Sequence, residues 1–92
     1  MYGLIGKITA VAGKSDELAS ILVEGTKNMP GCVSYTIAKC TEESDLLWIT
    51  EVWLDKSNHE ASLQLPAVQA AIGKGRPLIA GMERVATTNP VE

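Results

Sequence analysis

The run Leu46 to Leu54, LLWITEVWL, is apolar at every position except Thr50 and Glu51. A short apolar run rich in aromatic and β-branched residues reads as a buried strand. Side chains on a strand alternate between its faces. Leu47, Ile49, Glu51 and Trp53 therefore share one face, and Leu46, Trp48, Thr50, Val52 and Leu54 share the other. Both faces are apolar enough to need cover. Helices can supply it on one side, and something else must supply it on the other. The strand runs straight on into a short helix. The whole stretch Asp45 to Pro66 holds both tryptophans and the single histidine of the chain.

With 92 residues the chain forms one domain, not two. It contains no Phe, so the core is built from Leu, Ile, Val, Ala and Met. The formal charge is −3 and there is no basic cluster, which argues against nucleic acid as a partner. No apolar run approaches the ~20 residues of a membrane helix. The N-terminal Met-Tyr-Gly-Leu-Ile-Gly-Lys lacks the pattern of a signal peptide, so a cytoplasmic protein with no membrane partner is expected. Cys32 and Cys40 would lie roughly 26 Å apart on one strand, too far for a disulfide. No Cys/His spacing suggests a metal site, and no glycine-rich phosphate loop follows a strand.

The first strand is expected over 2–12. Ser15 reads as an N-cap, followed by Asp16 and Glu17 in the first turn of a helix over about 15–28. Leu18, Ile21, Leu22 and Met29 form its apolar face, Gly25 is its weak point, and Pro30-Gly31 ends it. A second strand over 32–40 and the turn Thr41-Glu42-Glu43-Ser44 lead into the third strand as a hairpin. Ser57 or Asn58 caps the next helix. Pro66 is tolerated only in a first helical turn, so the helix breaks near Gln64-Leu65 and restarts over 66–74 with Leu65, Val68 and Ile72 as its apolar face. A fourth strand follows over 82–87. The order β-α-β-β-α-β is the ferredoxin-like, split βαβ plan of an α+β protein, with one antiparallel sheet and both helices on one face. The exposed apolar face that remains points to a second copy, that is, a homodimer.

Pro30-Gly31-Cys32 with Tyr35, then Glu51-Val52-Trp53, then Asp55, His59, Ala61, Ser62, Leu63 and Pro66, resemble in order and spacing the motifs of the antibiotic biosynthesis monooxygenase domain. The resemblance spans residues 1–87, with 88–92 as a tail. It implies a ferredoxin-like protomer forming a dimeric α/β barrel. It also implies cofactor-independent oxygenation of a small aromatic substrate (a quinol, phenol or polyketide-like compound) by O2. Two departures stand out. Where the family often carries a His four residues before the helix proline this chain has Ser62, and its histidine stands three residues earlier, at His59. Haem-degrading relatives use an Asn on the first strand, and this strand has none.

The candidate catalytic residues are His59, Trp53 and Glu51, and the candidate substrate-binding residues are Tyr35, Ser62 and Trp53. Imidazole titrates near neutral pH and suits a general base. A carboxylate on an apolar strand needs a partner, and Lys39 or Arg84 on a neighbouring strand is expected to pair with Glu51. Tyr35 and Trp53 offer an O–H and an N–H to a substrate oxygen. Trp48, on the opposite face, is expected at the dimer interface. Ser62 lies one turn from His59, but no acid completes a hydrolase triad. Arg76 is expected to place its charge near the carbonyls that end the helix. A non-enzymatic small-molecule-binding dimeric domain stays open as a second reading, and haem degradation as a third.

Overall fold

The computed structural model describes residues 1–91. The elements are β1 (Tyr2–Ala10), α1 (Ser15–Gly25), β2 (Cys32–Lys39), β3 (Leu46–Trp53), α2 (Lys56–Ser62), α3 (Pro66–Gly75), a 3-10 turn (Arg76–Leu78) and β4 (Ile79–Thr88). All strand pairs are antiparallel, in the order β2-β3-β1-β4. This is the ferredoxin-like α+β plan. The sheet is open, with β2 and β4 as its edges, and it does not close into a barrel within one chain.

β3 is central because it can be buried on both sides. Leu47 and Trp53 are fully buried under the helices, together with Leu18 of α1. Met29 joins Trp53 and Val68 in a second cluster rather than extending α1, because the helix stops at Gly25 and Thr26 caps it. Gly25 is not a weak point but a contact. A Cβ there would collide with the methyl of Ala71, so the glycine lets α1 and α3 approach closely.

Three local expectations are corrected. Ser15 is the first residue of α1 and is buried, and Lys14 takes the N-cap position without a side-chain bond. Asp55, not Ser57 or Asn58, caps α2, and its carboxylate accepts the Asn58 N–H at 2.8 Å. The carboxylate is the stronger acceptor, so it takes the cap one helical turn ahead of the donor. On α3 the buried stripe is Val68, Ala71 and Gly75, while Ile72 is 39 % exposed. Ala71 faces α1 because only a small residue fits against Gly25. β4 starts three residues earlier than Met82, at Ile79, as the 3-10 turn delivers the chain directly into the sheet.

The face away from the helices carries Ile5, Trp48 and Val52. It also carries Thr36, Thr50, Lys7 and Glu83, as the strand register dictates. It is therefore more mixed than β3 alone suggests. Lys7 bonds Glu83 at 3.6 Å and lies 5.8 Å from the Trp48 ring centre. Cys32 and Cys40 are free and half-buried. No helix among the described residues is long and apolar enough to cross a membrane.

Candidate functional site

On the helix side of the sheet, side chains fall into rows set by the strand register. Tyr35, Glu51 and Leu4 form one row, and Cys32, Trp53 and Tyr2 the next toward the end of β3. Ile37, Ile49, Gly6 and Arg84 form the row on the other side. Gly6 places no side chain where its neighbours place large ones. Over it the helices are interrupted, because α2 ends at Ser62 and α3 begins at Pro66. The gap is a cavity of about 550 Å³ between the sheet and the helices, well within the range of small-molecule sites. Its inner wall is apolar, with Leu4, Ile8, Ile49 and Val68 all buried. Glu51, His59, Tyr35 and Ser62 add the inner polar groups, while Ile72, Arg76, Met82 and Arg84 line it with exposed side chains.

His59 reaches the sheet from α2, on the turn that the Asp55 cap starts. Its ring lies edge-on to Trp53 at 5.6 Å between centroids and is tilted against Tyr2 at 5.8 Å. Its Nε2 stands 3.8 Å from Glu51 Oε1, with both side chains mostly shielded. The same Oε1 accepts the Trp53 indole N–H at 2.9 Å. The polar residue on the apolar strand is thus held by a neighbour two positions along its own face and faces the only histidine.

This corrects the expected pairing of Glu51. Lys39 sits opposite Leu47, four residues from Glu51 along β3 and so about 13 Å away at strand rise, and it bonds Asp16 instead. Arg84 is one row removed, beside Gly6. Trp53 also differs from its expected place. It is fully buried, its N–H is taken by Glu51, and it does not line the cavity. Its part at this site is to hold Glu51 and back the His59 ring. The Ser62 hydroxyl donates to the His59 carbonyl at 2.6 Å, so its proton is spent within α2.

Tyr35 lines the cavity beside Glu51, and its hydroxyl bonds no other described residue. Burial, then the Glu51 charge, then Cys32 push its phenol far above the usual tyrosine range. It therefore stays protonated and can only donate to a ligand anion at working pH. The folded state holds this proton more tightly than the unfolded chain does, so stability is full below pH about 10 and falls as pH rises beyond it. Tyr35→Phe is expected to flatten that alkaline loss relative to the native chain in urea melts between about pH 8 and 11. An identical pH dependence would place the phenol in water.

Gly6, which lines the cavity, and Tyr2, which packs against the His59 ring, are not singled out as site residues by the sequence. Gly6 had a signal, a glycine on the inward face of a strand, which often marks a close approach or a gap. Tyr2 had one too, because it shares the inward alternation with Leu4 and Ile8. Among the described residues, no group of three or more His, Cys, Asp or Glu side chains is positioned to hold a metal ion.

A small antiparallel sheet, two helices on one face and a cavity beneath a broken helix define a family of small α+β domains. The antibiotic biosynthesis monooxygenase family model matches residues 1–74, and the chain belongs to that family. A candidate antibiotic biosynthesis monooxygenase from Chloroflexus aurantiacus J-10-fl is 53 % identical, with a TM-score of 0.95 over 99 % of this chain and 93 % of that one. Two further crystal structures share the fold. A candidate family member from Deinococcus radiodurans is 24 % identical, with a TM-score of 0.82 over 100 % of this chain and 94 % of its own. One from Nitrosomonas europaea is 10 % identical, with a TM-score of 0.89 over 100 % of both chains. No curated protein matches the chain.

Proposed function

We propose that the chain is a cofactor-independent monooxygenase of a small, electron-rich aromatic substrate such as a hydroquinone. The observation that carries this reading is the His59–Glu51 pair at the wall of an otherwise apolar cavity. Oxygenation without a cofactor requires the substrate to supply all four electrons that reduce O2. That becomes feasible when its hydroxyl proton is removed in a dry site. His59 takes that proton, and the Glu51 carboxylate beside it stabilises the imidazolium. Tyr35, kept protonated, donates a hydrogen bond to the oxygen anion that results.

The electron-rich ring carbon then passes an electron to O2, and the two radicals join in a new C–O bond. His59 returns its proton to the peroxide. Loss of the remaining C–H proton with cleavage of the O–O bond leaves a carbonyl and releases the distal oxygen as water. The balance is hydroquinone plus O2 giving hydroxyquinone plus water.

An oxygen electrode with a panel of hydroquinones tests the reading, and one O2 consumed per quinol oxidised is expected. Binding without oxygen uptake would reduce the protein to a small-molecule-binding domain. Haem degradation is not favoured, because β1 has no Asn.

We also infer a homodimer, joined through the sheet face that carries Ile5, Trp48 and Val52, with the two sheets forming an α/β barrel. The support is an apolar strip that no helix of the chain covers. The cavity lies on the opposite face, so each protomer keeps its own site. Light scattering at micromolar concentration is expected to give twice the chain mass, and Trp48→Glu to give the single mass. A native protein that scatters as a single chain would rule the dimer out.

A further inference from the structure

Charge at the cavity differs from charge on the rest of the surface. The chain is acidic, with 11 Asp and Glu against 8 Lys and Arg. Lys7, Lys14, Lys27, Lys39 and Lys56 each stand in an ion pair, leaving Lys74 as the unpaired lysine among the described residues. The pattern reverses for arginine. Neither Arg76 nor Arg84 has an acidic partner among the described residues, and both line the cavity. Arg84 comes from the edge strand β4, in the row where Gly6 leaves space. Arg76 comes from the C-cap of α3 on the opposite wall.

The acids near them are engaged elsewhere. Glu51 accepts from Trp53 and faces His59. Lys7 and Glu83 also contribute to the cavity lining, but they form an ion pair with each other, and the register turns their side chains to the far face of the sheet. Both arginines are exposed, whereas His59 and Glu51 are shielded, so the cationic groups stand on the solvent side of the cavity and the proton-transfer pair stands deeper. Guanidinium is permanently charged, gives up its water more readily than ammonium, and matches the planar geometry of a carboxylate. Two such groups left free at an apolar cavity of an acidic protein are placed for an anionic ligand.

We propose that Arg76 and Arg84 bind a carboxylate carried by the substrate, which is therefore an aromatic acid whose ring enters the apolar interior beside His59. The inference rests on the cavity being the substrate site. The carboxylate sets the depth and orientation of the ring, so that its hydroxyl, rather than its acid group, meets His59. The acid stays ionised at the mouth and takes no part in the oxygen chemistry. A purely structural role for Arg76, offsetting the last carbonyls of α3, would stabilise the helix but create no preference for a charged ligand.

The test uses 6-hydroxy-2-naphthoate, whose acid and hydroxyl stand at opposite ends of the rings, and its neutral carboxamide as probes, titrated calorimetrically into the native protein. The acid is expected to bind about 10-fold more tightly or better, the range for a hydrogen bond to a charged partner. The gap is expected to shrink as salt rises from about 50 to about 500 mM. Arg84→Gln and Arg76→Gln are each expected to narrow it and the double variant to abolish it. Lys74→Gln, which does not line this cavity, is expected to leave it unchanged. Equal binding of acid and amide by the native protein overturns the proposal while leaving the cavity as a ligand site. A preference that survives the double variant overturns it as well. Binding of neither probe overturns it together with the reading of the cavity.

Discussion

His59→Ala is expected to slow oxygen consumption roughly 10²-fold or more, measured on whichever hydroquinone the native protein oxidises fastest. The size follows from the position of the ring. It is the only imidazole in the chain, it lines the cavity, and its Nε2 faces a carboxylate at 3.8 Å. Neither Tyr2 nor Trp53, the rings that flank it, can take its place as a base. Glu51→Gln is expected to cause a smaller loss, because the amide no longer stabilises the imidazolium yet still accepts the Trp53 N–H. A rate unchanged by His59→Ala would shift proton removal to Glu51 or to the acidity of the substrate itself.

Trp53→Ala is expected to destabilise the fold by about 3–5 kcal/mol, the usual cost of emptying a large aromatic site in a core. A chain of 92 residues has a total stability of about 5–14 kcal/mol, so most of the margin is at stake. The loss is doubled in kind. The cluster with Met29 and Val68 loses its centre, and Glu51 loses the donor that fixes it. Urea denaturation measures the change, and a loss below about 1 kcal/mol would mean that neighbouring side chains collapse into the space. Trp53→Phe separates the two effects. It keeps most of the ring and removes the N–H, so activity is expected to fall further than stability does.

Element order was legible in the sequence because it rests on local signals. A short, nearly continuous apolar run marked β3, the hairpin turn joined it to β2, and Pro66 marked the restart of the helix. The pairing of Glu51 was not legible, because charge alone points to Lys39 and Arg84, while register decides which residues meet. Register depends on where the hairpin turns and on irregularities such as the shift between Ile5 and Gly6 against β4. The contact that does hold Glu51 was within reach, since residues two apart on a strand share a face, and Trp53 is two residues on. The orientation of α3 is hidden in the sequence for another reason. A hydrophobicity pattern favours Ile72 over Ala71, but the close approach at Gly25 admits only the smaller side chain. Ile72 is thereby left to line the cavity, and with it Arg76 at the end of the same helix. Of the candidate site, His59, Glu51, Tyr35 and Ser62 line the cavity, and Trp53 stands behind it.

The central claim is that this cavity oxygenates an aromatic substrate with electrons from that substrate alone. Turnover of a hydroquinone by chelator-treated, colourless protein under O2 labelled with the heavy isotope tests it most directly, with mass spectrometry of the product. The account predicts one labelled oxygen in each product molecule and the other in water, with labelled product forming roughly 10²-fold more slowly in His59→Ala. Unlabelled product, or turnover that appears only when a metal ion or flavin is added, would contradict it.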